Sequence, residues 1–591
     1  MKQSMSPRLK DDVEVNAMES LKFSGALLWV VLAGLTLSTS AASQSASPGT
    51  HFAISFPASA RSQPINGRVF LVISRTENPI ADYEASYFNA PEYFGVDVRQ
   101  WRPGQVVLVT AQTLGYPFRS LKDVPPGDYC VQAIVSLHAE YHRADGRVIF
   151  GLDNWDGQEV TQNPGNLYSK VQKIHLGASV RSTIKLSLTE VVAPIPKPAD
   201  SEWIKNIRIE SKLLSRFWGR PIYLGAAILL PRDYLANPNA KYPVIYEQKS
   251  HYLRDTPFAF TTENVPETDD ARHEREQHGY ETGYEFYHAW SSEHFPRMIV
   301  ARLIDPTPFY DFSSAMNSAN NGPYGDAIMQ ELIPYIEEHF RIIREPYARE
   351  LLGKSTGGRD ALALQLFHPE FFGGAWIFYP WGIDYRRYCG FDIYESESAF
   401  VVNWKETRGF YNPYEWAPLE RHFPRTIDSM PLATMRQFGL HDAVRGGPSG
   451  VGAEVNGSEN ALNSPVGADG NPKPLYDELT GKIDHDVALY WRQHDLTYYV
   501  ETHWPQIGSL LVGKLHFYVG DMDEWYRNYG VHHFQDVLKA TQNPHVEGTF
   551  QYGPLQGHLW QPMTNAQLMK VIADHVAQNA PQGADRAWST E

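Results

Sequence analysis

Leu351-Leu352-Gly353-Lys354-Ser355-Thr356-Gly357-Gly358, with Ala361-Leu362-Ala363-Leu364-Gln365-Leu366-Phe367-His368 close behind, is the stretch on which the fold turns. An apolar strand pattern runs into a G-x-S-x-G-G turn, and a helical pattern runs out of it. A serine on a sharp strand-to-helix turn needs small neighbours, because the strained turn leaves no room for Cβ atoms beside it. Its Oγ then stands above the sheet. The N–H of Thr356 points to the helix N-terminus, where the dipole favours a developing negative charge. The same letters would also suit a solvated Ser/Gly turn without chemistry, but the flanking strand and helix patterns favour the first reading.

Working outward, strand patterns cover 223–231, 242–248 and 297–303 before the turn, and 374–380 and 514–520 after it. A helix is predicted after Gly325, where Ile328, Met329, Leu332, Ile333, Ile336 and Phe340 recur at helical spacing. Asp326 is its predicted N-cap, and Pro334 should kink it or mark its first turn. A further helix is predicted near 530–541. Alternating strands and helices predict a doubly wound, mostly parallel α/β sheet covered on both faces, over residues 205–580. Within it, about 395–505 is rich in Trp, Tyr, Gly and Pro with little periodicity, which suits a cap-like insertion over strand C-termini. Residues 51–192 have another texture. Short β-branched runs at 68–74, 105–111, 129–137, 146–152 and 182–188 are separated by turns such as Pro125-Pro126-Gly127-Asp128. That pattern predicts an all-β, sandwich-like region, joined by a stiff Pro-rich linker over 193–204.

A serine nucleophile needs a base and an orienting acid, which in an α/β sheet of this kind follow in the order serine, acid, histidine. The strand at 514–520 ends in Gly520-Asp521-Met522-Asp523, and Gly557-His558-Leu559-Trp560 lies beyond a helix and a short strand at 549–553. Asp523, three past the glycine, is the favoured acid and Asp521 the alternative. His558 is the favoured base among 22 histidines; His532-His533 reads as a helix surface pair and His516 as packed in its strand. The second oxyanion donor is expected in Lys249-Ser250-His251-Tyr252, from the backbone N–H of His251; its imidazole, with Tyr252, would otherwise line the pocket.

Composition narrows the function further. The 591-residue chain has a formal charge of −16 and no run of Lys or Arg, which argues against nucleic acid as a partner. Two cysteines exclude a disulfide framework and a thiolate zinc site, so Cys130 and Cys389 are expected to be buried free thiols. No H-E-x-x-H, C-x-x-C or EF-hand pattern occurs, Asp469-Gly470-Asn471 reads as a turn, and neither metal nor cofactor is expected. Residues 26–37 form an uncharged apolar run, with Lys22 before it and Ser40-Ala41-Ala42 after it. Residues 1–42 therefore read as a secretory signal, with Met18 a candidate true start, and the product as periplasmic or extracellular. An uncleaved anchor is the lesser alternative, because the run falls short of the roughly 20 residues a bilayer span needs.

Tyr242–Gln248, the stretch GPYGDAIMQELIPYIE over 322–337, the GKSTGG turn, GDMD and GHLW together resemble the putative esterase family. That family includes esterase D, feruloyl esterases and enterochelin esterases, all α/β-hydrolases, and the resemblance covers about 205–580. It implies carboxylic ester hydrolysis through Ser355, Asp523 and His558, on a small-molecule, glycan or phenolic ester. A β-rich region ahead of a hydrolase also resembles the two-part plan of enterochelin esterases. Lys354 beside the serine, Ser250 where relatives often carry glycine, and the long 395–505 insertion depart from the usual pattern. Two other functions compete: a serine peptidase with the same triad, and a non-catalytic carbohydrate or phenolic binding protein on a hydrolase scaffold.

Overall fold

The computed structural model describes residues 50–85, 89–153, 155, 159–177, 182–194, 196–249, 256–402 and 419–589. The signal-like segment, and the stretch 250–255 that carries His251 and Tyr252, lie outside the described residues.

The described residues of 51–191 supply eleven strands: β1 (His51–Ser55), β2 (Ile65–Ser74), β3 (Glu92–Trp101), β4 (Val107–Val109), β5 (Gly115–Tyr116), β6 (Gly127–Leu137), β7 (Ala139–His142), β8 (Val148–Gly151), β9 (Leu167–Ser169), β10 (Gln172–Leu176) and β11 (Thr183–Val191). Nine of them join in the order β4-β1-β11-β9-β6-β2-β3-β5 with β10 also on β6, while β7 and β8 form a separate hairpin. β11 serves two partners. Thr183–Ser187 pair with β1 in parallel, Leu188–Val191 pair with β9, and the register shifts between Leu188 and Glu190. Phe52 and Ile54 of β1 share one apolar core with Val69, Leu71 and Val131. Among the described residues a short α-helix, α1 (Pro79–Ala85), and a 3-10 turn, Leu121–Asp123, interrupt the strands, so the region is not purely β.

The second sheet has eight strands: β12 (Ile204–Glu210), β13 (Tyr223–Leu229), β14 (Val244–Lys249), β15 (Ile299–Ile304), β16 (Arg349–Lys354), β17 (Gly374–Phe378), β18 (Leu515–Gly520) and β19 (Thr549–Gly553). Their order is β12-β13-β15-β14-β16-β17-β18-β19. β12, β13 and β15 pair antiparallel, and every pair from β15 through β14 to β19 is parallel. β17 is buried along its whole length, as a strand with both faces covered must be. The register brings C-terminal ends level: Lys354 lies opposite Phe378, Phe378 opposite Tyr518, and Gly520 opposite Gly553. The turns after these strands carry the candidate residues.

Two expectations need correction, while Pro334 falls in the first turn of a helix, one of its two expected places. Asp326 does not cap its helix; Pro323 stands at the cap of Tyr324–Ala327, and Asp326 is the third helical residue, its N–H held by Asn317 Oδ1 at 3.0 Å. A π turn over Ile328–Leu332 then precedes Ile333–His339, because Pro334 in that first turn has no N–H to give back to the preceding helix. The 395–505 stretch is not aperiodic. It contains α3 (Met435–Gly446), capped by a Thr434–Gln437 box, and two more helices, His485–Trp491 and Leu496–Ile507. The buried face of α3 includes His441, Asp442 and two glycines beside Met435, Phe438 and Val444, so its helical period is masked by polar and small residues. Asp442 is held there by the N–H groups of Glu454 and Val455 at 2.8 and 2.9 Å. α3 also packs on the first sheet: Arg68 Nε and Nη2 donate to Val444 O at 3.0 and 2.8 Å, and Tyr93 OH donates to His441 O at 3.2 Å.

Candidate active site

Ser355 lies between β16 and α2 (Thr356–Phe367), with φ 56° and ψ −122°. That conformation is uncommon for a residue with a Cβ and is affordable only because its neighbours are small. A Cβ on Gly353 would sit 1.8 Å from Gly357 O, and one on Gly358 would sit 2.8 Å from Phe378 O. The turn is fastened by backbone alone: Ser355 N donates to Phe378 O at 3.0 Å, while Ser355 O accepts from Gly358 N at 2.9 Å and Trp381 N at 3.0 Å. Thr356 is the first residue of α2, where the helix ladder leaves its N–H without a partner.

His558 Nε2 is 3.2 Å from Ser355 Oγ, and its Nδ1 is 2.7 Å from Asp523 Oδ2. Asp523 is fully buried. Its other oxygen accepts the N–H groups of Trp525 at 2.9 Å and Arg527 at 3.2 Å. Burial pushes the Asp523 carboxyl up, but the imidazole of His558 and the guanidinium of Arg527 outweigh it and hold the group below the ordinary aspartate range. Asp521 turns elsewhere: its carboxylate is 3.3 Å from His532 Nε2 on α4 (Arg527–Lys539). The structure thus brings together Ser355, His558 and Asp523, and not Asp521. The neighbouring His532-His533 pair is not an idle surface feature, since His533 Nδ1 bonds the buried carboxylate of Asp384. His516 stacks on Trp376 at 4.0 Å.

Several neighbours carry no sequence signal of their own. Tyr379 sets its ring edge-on to His558 at 4.7 Å, and its hydroxyl pairs with that of Tyr280 at 2.8 Å. Lys354 donates to Gln561 Oε1 at 2.9 Å and Asn565 Oδ1 at 3.0 Å, tying the serine strand to the segment that follows His558. Glu524 accepts the backbone N–H of His558. The glycines were the available clue: a Cβ on Gly557 would lie 2.5 Å from the Glu524 carboxylate, and one on Gly520 would lie 2.3 Å from Gln556 O. Among the described residues no three His, Cys, Asp or Glu side chains gather as a metal ion would require, and no helix is long and apolar enough to cross a membrane.

Residues 300–421 match the family model described as putative esterase. Over that segment the chain is similar to the putative esterase family, and the chain is a hydrolase. The match takes in β15, β16, Ser355, α2 and β17, and ends before Asp523 and His558. Similar solved structures include a ferulic acid esterase, 14% identical over 60% of this chain and 90% of that one, with a TM-score of 0.33. An S-formylglutathione hydrolase from Agrobacterium tumefaciens is 12% identical over 64% and 95%, also at 0.33. A fluorophosphonate-binding serine hydrolase of Staphylococcus aureus is 15% identical over 63% and 98%, at 0.31. Among curated protein sequences there is no match.

Proposed function

We propose that this esterase-family hydrolase is exported and cleaves carboxylic esters through a Ser355–His558–Asp523 triad. The observation that carries the proposal is the unbroken relay of 2.7 Å from Asp523 to His558 and 3.2 Å from His558 to Ser355. Asp523 accepts from His558 Nδ1 and so leaves Nε2 as the basic nitrogen facing Oγ. Nε2 takes the serine proton as Oγ bonds to the acyl carbon, and the carbonyl electrons move to oxygen. The Thr356 N–H, at a helix N-terminus, meets that oxyanion, with the His251 N–H proposed as its second donor. The imidazolium gives its proton to the departing alcohol, leaving an acyl-enzyme. Water then repeats the steps with His558 as base, releasing acid and free serine.

A planar, phenolic or glycan-borne ester is the proposed substrate class, in keeping with the Tyr379 ring edge-on to His558 and paired with Tyr280. Export rests on the apolar run at 26–37 with its cationic flank and small-residue cut site. The decisive experiment is Ser355→Ala assayed on p-nitrophenyl acetate. Turnover should fall by about 10⁵-fold or more, with the thermal midpoint within about 2 °C of the parent. Retained turnover in a folded variant would remove Ser355 from the reaction.

A further inference from the structure

Arg425 belongs to the 395–505 stretch, far in sequence from the Asp523 turn that it touches. It stands in a hairpin that leads into α3, in which Phe423 N donates to Ala433 O at 2.9 Å and Leu432 N to Pro424 O at 3.0 Å. That hairpin lies on the turn bearing Asp523. Arg425 N donates to Glu524 O at 3.1 Å, and its guanidinium Nε and Nη2 each reach Asp523 O at 3.4 Å. The remaining guanidinium contacts are to Ser429 Oγ and the Tyr529 hydroxyl, at 3.4 and 3.5 Å. The charged plane also lies over the Tyr526 ring at 4.5 Å, and the Phe423 ring meets Trp525 at 5.3 Å. Arg425 is only 7% exposed, so its donors are spent on these protein partners, two of them on the Asp523 carbonyl.

The turn needs such a hold. Tyr526 sits at φ 61°, in the left-handed region that a residue with a side chain keeps only when its surroundings over-determine it. Its N–H closes the turn onto Asp523 O at 3.1 Å, the same oxygen that receives the guanidinium. A charged donor at that carbonyl makes a stronger bond than a neutral one. If the turn relaxed, Asp523 Oδ2 would leave the 2.7 Å contact that orients His558.

We propose that Arg425 is a positioning residue, holding the Asp523 turn so that the carboxylate keeps His558 aimed at Ser355. The proposal rests on the triad reading above. It gives the 395–505 stretch a part in the turnover of every ester, separate from any choice among them.

The test uses the full chain with Arg425→Ala, Arg425→Lys, Arg425→Gln and Ser355→Ala. Turnover and KM are measured on p-nitrophenyl acetate and a longer-acyl p-nitrophenyl ester, together with the rate of inactivation by a fluorophosphonate. Arg425→Ala should lower kcat and the inactivation rate roughly 10- to 100-fold on both esters, as a displacement of about 1 Å does. KM should stay within about 2-fold, because ground-state binding is untouched. Arg425→Lys should recover most of the loss, since an ammonium can still donate to the carbonyl. Arg425→Gln should recover less, and the Lys–Gln difference decides the matter even if the alanine variant fails to fold. Full kcat in Arg425→Ala, a loss confined to KM or to the longer ester, or equal loss in the Lys and Gln variants would overturn the proposal. Ser355→Ala separates the two levels: activity and labelling that survive it sink the triad itself, whatever Arg425 does.

Discussion

The turns that carry Ser355 and Asp523 both open from the C-terminal ends of parallel strands in one sheet, yet they are secured by opposite means. The serine turn is a backbone device. Its bonds run to Phe378, Gly358 and Trp381 main-chain atoms, and its steric demand falls on Gly353 and Gly358. The acid turn is a side-chain device. It also holds a residue at positive φ, but its grip comes from Arg425, Phe423 and Glu524, two of them about a hundred residues away in sequence. A turn of the first kind fails when a methyl group is added nearby and ignores distant change. A turn of the second kind tolerates local change and fails when a distant partner is lost.

The largest expected effect tests which carboxylate belongs to the acid turn's chemistry. Asp523→Asn should cost about 10⁴-fold in kcat, by presenting His558 in the wrong tautomer. Asp521→Asn should cost less than about 3-fold, because its carboxylate meets His532 and not His558. Equal losses in steady-state kinetics would end the distinction between the two positions.

A smaller effect tests the backbone device. Gly353→Ala forces a Cβ to 1.8 Å from Gly357 O, and nothing flexible is there to yield. It should lower kcat about 10²-fold and destabilise by about 1–3 kcal/mol in chemical denaturation. Gly530→Ala, in α4 beside the acid turn, is the matched control: its Cβ would sit 3.6 Å from Ile383, an ordinary contact, and activity should be unchanged. A harmless Gly353→Ala would show that the serine turn is not clenched as described.

The smallest expected effect on activity lies at the far end of β16. Burial pushes the Glu350 carboxyl up to about 8, against the Trp376 N–H bond and the charge of Lys514. The folded chain therefore keeps a proton that the unfolded chain releases near the ordinary value of 4.5, so stability falls as pH rises between those values. Glu350→Gln keeps an acceptor for Trp376 Nε1, 3.0 Å from the present carboxylate, without the titration. Its denaturation midpoint should match the parent near pH 4 and exceed it increasingly toward pH 9, with turnover at pH 7 unchanged. A variant that loses stability at pH 9 would refute the assignment.

The same contrast explains what was legible in the sequence. The Ser355 turn could be read because its causes are neighbours: Gly353, Gly357 and Gly358 stand within three residues of the serine. The strands of the parallel sheet were legible as uninterrupted apolar runs such as 374–378, since both faces are covered. β3 was not, because Gly95, Asp97, Arg99 and Gln100 break its alternation while Val444 and Arg68 press on it from outside. α3 hid behind a buried His441 and Asp442. Arg425 had no local signature at all, for its partner Asp523 stands 98 residues away and is met through a main-chain oxygen, which any residue would offer.

Cys130 on β6 and Cys389, in the connection after β17, are both buried free thiols, one in each sheet's neighbourhood. Burial pushes the Cys389 thiol up to about 12, so near neutral pH almost none of it is the thiolate that alkylating reagents attack. Reaction at either sulfur must wait until the packing around it opens, and that opening has its own free energy in each part of a protein. The pair is thus a built-in set of two clocks: alkylation followed by peptide mapping times, separately and in the unaltered chain, how often each half of the molecule comes apart.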